Sequence, residues 1–178
     1  GRAGLDFWHH RQTLDNGARI VFRKADYDKE NVSLTSYSKG GTSLYDIDML
    51  AAAENTAALV GSFGLGDYDP VTLRKILTGK TAGSSVSIGG LSESVNGTST
   101  PKDMETMFQL VYLNFEKPRF DPVLFTSVMN RNRLGIPQMK DKPQKMMQDS
   151  IKKIFGNYHP RILLFDEAYL DQITLEKL

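Results

Sequence analysis

From Pro101 onward the chain places Met104, Met107, Phe108, Val111, Tyr112 and Phe115 at i, i+3, i+4, i+7, i+8 and i+11. Apolar side chains at that interval fall on one side of an α-helix, and such a side has to be covered. Just before it stand two Ser- and Val-rich runs, about 83–88 and 91–98, separated by Gly89-Gly90. Small and β-branched residues in loose alternation around a glycine pair predict neighbouring antiparallel strands. A striped helix following a strand pair predicts a helical layer laid over a sheet, the two-layer α+β class.

The remaining segments fit that plan. Trp8 to Thr13 and Ala18 to Arg23 flank Leu14-Asp15-Asn16-Gly17, and Asn-Gly between apolar-rich runs is a strong hairpin signal. Val32, Leu34 and Ser36 alternate with Ser33, Thr35 and Tyr37 up to Gly40-Gly41, which reads as a half-buried strand. Between Ile47 and Phe63 the chain is rich in Leu and Ala, with Asp46 or Asp48 as N-cap; small side chains on most faces predict a helix packed closely into the interior. A short helix is expected from Pro70 to Thr78, stopped by Gly79, with Leu73, Ile76 and Leu77 as its apolar face. Lys117-Pro118 ends the striped helix, and two more helices are expected at Asp121 to Leu134 and Lys142 to Phe155. Residues 156–178 read as a loop with short helical pieces leading toward a further domain. No repeat or low-complexity linker divides the chain, so residues 1–178 read as one domain, with a soft boundary near Phe155.

Composition narrows what such a domain can do. A length of 178 residues suffices for a single core without covalent staples. Twenty-two Lys and Arg stand against 21 Asp and Glu, for a net charge of +1 without like-charge blocks; this excludes an electrostatic footprint for nucleic acid or anionic lipid. The apolar stretches are broken within about ten residues, against the ~20 that span a bilayer, so a soluble domain without membrane insertion is expected. Cysteine is absent, which excludes disulfides, thiolate catalysis and Cys-ligated zinc. The chain opens on Gly1 rather than Met and stops at Thr174 to Leu178 as a helix is beginning, so it reads as a segment of a longer polypeptide.

Candidate chemistry is sparse. His9, His10 and His159 are the only histidines; neighbours in a strand point to opposite faces and cannot chelate one ion, and Asn157-Tyr158-His159-Pro160 reads as a turn. Gly79-Lys80-Thr81 has the tail of a phosphate-binding loop, but Arg74 stands where its first glycine is required. Gly64-Leu65-Gly66 reads as a helix C-cap and turn. No Gly-x-Ser-x-Gly occurs, which removes the usual setting for a serine nucleophile. Asp67 and Asp69, like Glu167 and Asp171, stand where caps and loops want them. Asn31-Val32-Ser33 and Asn96-Gly97-Thr98 match a glycosylation triplet that is common by chance. No catalytic residue and no metal ligand is assigned.

The order of elements, together with Leu14-Asp15-Asn16-Gly17-Ala18-Arg19-Ile20-Val21, resembles the pitrilysin/insulinase family of zinc metallopeptidases, whose domains open on a Leu-x-Asn-Gly-x-Arg/Lys-Val hairpin. Gly41-Thr42-Ser43, the short helix at 71–77, the paired strands at 83–98, the helix after Pro101 and Tyr158-His159-Pro160 extend the likeness over about Gln12 to Leu178. It implies the α/β sandwich of the mitochondrial processing peptidase, an antiparallel or mixed sheet covered by helices. Active members carry His-x-x-Glu-His on the first long helix, with two imidazoles binding zinc and the Glu activating water. That motif falls here near Glu54-Asn55-Thr56-Ala57-Ala58, and there is no histidine between His10 and His159. The third family ligand is a Glu on the helix expected at 121–134, which has no carboxylate after Asp121.

The resemblance therefore implies a domain of the half that has lost its metal site, in a bacterial, periplasmic or envelope-associated peptidase. Zinc is expected in the catalytic half of the parent and no cofactor in this segment. The partners implied are that catalytic half and a peptide held in the chamber between the halves. The run Gly83 to Ile88 matches the edge strand that pairs with substrate in active domains, which makes Ser84, Ser85, Val86, Ser87 and Ile88 the candidate substrate-binding residues; an ordinary sheet strand is the simpler reading of them. Two rival readings are a stand-alone assembly or peptide-binding protein of the same fold and a zinc hydrolase in its own right.

Overall fold

The structure, a computed structural model, describes residues 10–178. Trp8 and His9, part of the expected first strand, lie outside the described residues.

The expected hairpin is formed by β1 (His10–Thr13) and β2 (Arg19–Phe22), antiparallel, with His10 opposite Phe22 and Thr13 opposite Arg19. Its closure differs from a two-residue Asn-Gly turn, in which both central residues need positive φ. The Gly17 N–H donates to the Leu14 carbonyl at 2.9 Å, the Leu14 N–H to that of Ala18 at 2.8 Å, and Gly17 alone in the loop has positive φ, at +84°. This is a three-residue loop with glycine in the left-handed position. The hairpin forms a two-stranded sheet of its own.

A second sheet contains β3 (Val32–Lys39), β4 (Ala82–Ile88) and β5 (Ser92–Ser99) in the order β3-β5-β4, antiparallel throughout. Its register aligns Leu34, Gly97 and Ser84 across the three strands, and likewise Ser36, Val95 and Val86. These rows belong to the helix-facing side, where Val95, Gly97 and Ser99 are buried. The opposite side carries Ser33, Thr35 and Tyr37, then Thr98, Asn96 and Ser94, then Ser85 and Ser87. That face is hydroxyl-rich, with the exposed Lys39 at the end of β3 as its one charge among these strand residues.

The helical layer is α1 (Ile47–Ser62), α2 (Pro70–Ile76), α3 (Met104–Glu116), α4 (Pro122–Lys140), α5 (Pro143–Phe155) and α6 (Glu167–Asp171). α1 and α3 lie against the sheet. Leu50, Ala51, Ala52 and Ala53 of α1, all at most 6% exposed, are enclosed on most sides of the helix. Its N-cap is Asp46, although the Asp46 side chain makes no capping bond.

Three expectations need correction. The stripe on α3 does not meet the sheet as a whole. Met107 and Leu110 are buried, whereas Met104, Phe108, Tyr112 and Phe115 are exposed. Met107 seats at Gly97, where an added Cβ would come within 2.9 Å of Met107 Cγ and Sδ, and this contact fixes the helix's rotation. α4 continues past Leu134 through Pro137 to Lys140. A proline removes one helical hydrogen bond, and Met129 and Ile136, buried in the core on either side of the expected end, hold the helix together. α2 stops at Ile76, which is 50% exposed, and turns its Leu73 and Leu77 inward instead.

A second cluster joins Ala51, Leu59 and Phe63 of α1 to Met129 and Ile136 of α4 and to Tyr169, Leu170 and Ile173. The tail after Gly156 thus packs back on the helices. The Arg161 guanidinium pins it further, donating to the Tyr45 and Thr42 carbonyls at 2.8 Å each.

Candidate functional site

In an antiparallel pair every second residue exchanges hydrogen bonds with its partner strand, and those between point their N–H and C=O groups the other way. On β4 the phase is fixed at both ends. The Gly89 N–H donates to the Ser92 carbonyl at 2.8 Å, and the Thr100 N–H to the Thr81 carbonyl at 3.1 Å. Odd-numbered residues therefore bond to β5, while Ala82, Ser84, Val86 and Ile88 turn their backbone groups to the outer edge of the sheet, which no strand among the described residues covers. The candidate run from Ser84 to Ile88 divides accordingly: Ser84, Val86 and Ile88 face the open edge, and Ser85 and Ser87 belong to the ladder.

Beside that edge lies a cleft of about 430 Å³. Ser84, Ser85, Val86 and Ile88 line it, together with Thr56, Ala57, Val60 and Gly61 of α1 and Leu73 and Leu77 of α2; Ser87 does not. Leu110, Asn114 and Phe120 contribute from the α3 side. The Asn114 amide nitrogen donates to Ser84 Oγ at 2.7 Å and to the Leu110 carbonyl at 2.9 Å, which fixes the cleft wall. The cleft residues on α1 and α2 escaped the sequence reading. Their one local signal was the pair of small residues Ala57 and Gly61, one helical turn apart.

α2 is set in place by Asp69. Its Oδ1 accepts from the Val71 and Thr72 N–H groups at 2.8 and 3.0 Å, and its Oδ2 from the Thr72 hydroxyl at 2.6 Å. The Thr72 hydroxyl, foremost, and these N–H groups hold the carboxyl below its ordinary value. Asp121 caps α4 in the same way and is lowered chiefly by the Leu124 N–H. At the foot of β4, Asp103 Oδ2 accepts from the Thr81 N–H at 2.9 Å, the largest cause of its own lowering.

The stretch of α1 expected to correspond to the zinc motif does not fit a metal. Glu54 is its only carboxylate, and Glu54 accepts from the Tyr169 hydroxyl at 3.0 Å. Asn55 donates to the same hydroxyl and to the Ala51 carbonyl, at 2.6 and 2.8 Å; Thr56 donates to the Ala52 carbonyl. α4, at its full length, contributes no Asp or Glu. Among the described residues no group of three or more His, Asp or Glu side chains is placed to hold an ion.

The other singled-out residues have local partners. His159 is exposed and its Nδ1 accepts from the Arg161 N–H; of the His10 side chain nothing is described. Lys80, within the phosphate-loop look-alike, lies 3.5 Å from Asp103. Asp67 pairs with Lys117, Asp171 with Arg133, and α6 is capped by Asp166 rather than Glu167. Among the described residues no helix is long and apolar enough to cross a membrane.

The fold is one shared with M16 peptidase domains of known structure. No family model and no curated protein matches the sequence. Among solved structures, the periplasmic protease PqqL from Escherichia coli superimposes with a TM-score of 0.77, and the ferredoxin protease FusC, solved with Arabidopsis ferredoxin, with 0.78; each is 19% identical. The M16 inactive domain from Pseudomonas fluorescens follows at 0.74 and 19%. All three matches cover 95% of this chain, but only 19% of the PqqL and FusC chains and 41% of the inactive-domain chain. The chain thus spans less than half the length of each of these three proteins.

Proposed function

We propose that this chain is a non-catalytic domain of a bacterial pitrilysin-type zinc metallopeptidase, packed on the catalytic half of the same polypeptide and forming part of the wall of its peptide chamber. The observation that carries the reading is the free β4 edge beside an α1 without imidazoles. A peptidase domain with that combination can hold an extended chain by strand addition while cleavage takes place elsewhere. The hydroxyl-rich outer face of the sheet supports a wetted wall, since Ser, Thr and Asn side chains keep water rather than demand burial. Zinc belongs to the catalytic half in this reading, and the setting is the periplasm or envelope, as for PqqL, which is described as periplasmic.

The experiment is peptide cleavage and metal content of the complete polypeptide that carries this chain. Zinc-dependent cleavage is expected, with KM raised by Ser84→Pro, which deletes an outward N–H, and unchanged by Ser84→Ala, which keeps it. A complete polypeptide that binds no zinc and cleaves no peptide would sink the proposal in favour of a stand-alone assembly or peptide-binding protein of the same fold.

A further inference from the structure

We infer that the cleft beside β4 selects extended peptides by side chain, accepting a bulky uncharged apolar residue at every second position and rejecting a charged one there. The inference rests on the reading of β4 as a peptide-pairing edge and adds the chemistry of what pairs with it.

A strand laid along the outward groups of Ser84, Val86 and Ile88 continues the pleat, so its side chains alternate between the two faces of the sheet. Those on the hydroxyl-rich side meet water. Those on the helix-facing side enter the cleft, where Val60, Leu73, Leu77 and Phe120 await them. Its volume, about 430 Å³, lies within the roughly 300–1,000 Å³ of small-ligand pockets. None of its lining residues is Asp, Glu, Lys, Arg or His. A charge carried in would lose its hydration without a counter-ion, whereas an aliphatic or aromatic side chain would gain by leaving water.

Gly61, an exposed residue, lines the same cleft on the α1 side. Glycine inside a helix is destabilising relative to alanine, and packing often explains it where no Cβ fits. Here a Cβ at position 61 would meet nothing within 4 Å. The space above Gly61 is cleft space, and the residue's effect is to leave the α1 wall without bulk next to Ala57.

The test uses the 178-residue chain amidated at Leu178, which also lines the cleft, so that no terminal carboxylate biases the comparison, and short blocked fluorescent peptides alternating Thr with Leu or Thr with Asp, with binding followed by anisotropy. The Leu peptide is expected to bind on the order of ten- to hundredfold more tightly than the Asp peptide. Gly61→Leu, whose Cβ would meet nothing within 4 Å, is expected to weaken the Leu peptide by about tenfold or more while thermal unfolding shows the fold intact. Equal binding of both peptides, lost in Ser84→Pro, would leave the pairing edge standing and overturn the selection. Leu-peptide binding indifferent to Gly61→Leu would also overturn it. Binding of neither peptide would overturn the pairing edge itself and the selection with it.

Discussion

The Tyr169 hydroxyl donates to Glu54 and accepts from Asn55, joining α6 to the turn of α1 where the resemblance places the zinc motif. A hydrogen-bonded phenol thus cross-links elements at a point where an active domain would use a metal. The ring is 8% exposed and packs in the core cluster with Phe165 nearby. Burial pushes the phenol up to about 12, the Asn55 bond works against this, and the Glu54 charge adds to it.

Tyr169→Phe keeps the ring and removes both bonds. The loss expected is about 1–2 kcal/mol, at the low end because Glu54 is exposed and can rehydrate. The sign of the pH effect follows from the raised value: the neutral phenol is favoured in the folded state, so its contribution is complete below pH 10 and disappears as pH rises from 10 toward 12. Urea unfolding across that window should fall more steeply for the unsubstituted chain than for the variant.

Asp103 produces the opposite dependence. Its carboxylate is buried, ties Thr81 to Thr100 through Oδ2, and is lowered first by the Thr81 N–H, with Thr100 and Lys80 adding to it. A lowered carboxyl stabilises above its ordinary value near 3.8 and stops doing so as pH falls through the depressed one. Asp103→Asn is expected to be less stable than the unsubstituted chain at neutral pH and to show a shallower decline in acid. Equal acid slopes in urea titrations would contradict this assignment.

Most elements were legible because their signals are local. The hairpin needs only its Asn-Gly and flanking runs, and β4 and β5 need only alternation around Gly89-Gly90. The rotation of α3 was not legible. The stripe from Met104 to Phe115 is wide, and which edge of it packs depends on the notch at Gly97, a residue in another element. α4 outran its expected end for the same reason, since Ile136 is anchored by a core assembled from α1 and the tail. At the site, the Ser-rich run showed itself as a strand, but the split between edge-facing and ladder residues required hydrogen bonds at both ends of β4. The Tyr169 to Glu54 contact joins residues 115 apart in sequence, and nothing local marks it.

Gly97 and Met107 make the α3 contact testable. An alanine Cβ at position 97 would lie 2.9 Å from two Met107 atoms that are fully buried. Overpacking of this kind costs about 1–3 kcal/mol, more than the strand propensity gained, so Gly97→Ala is expected to lower the urea midpoint. Met107→Ala alone should cost about 2–5 kcal/mol. The double substitution should cost less than the sum, because the smaller side chain removes the clash; strict additivity would mean that the two residues do not meet.

Adjacent serines on β4 give the sharpest check of the register. Ser85 donates its N–H into the ladder with β5, and Ser84 points its N–H at the free edge. Proline lacks that donor and is tolerated in sheets only where the N–H faces away from the ladder. Ser85→Pro is therefore expected to cost about 3 kcal/mol or more. Ser84→Pro should cost only about 1 kcal/mol, since the Asn114 amide loses its bond to Ser84 Oγ but keeps the one to Leu110. Ser84→Ala isolates that hydroxyl loss. The same pair decides more than stability: if Ser84→Pro unfolds the chain and Ser85→Pro does not, the hydrogen-bond phase is reversed, and the groups offered to a bound peptide are those of Ser85 and Ser87.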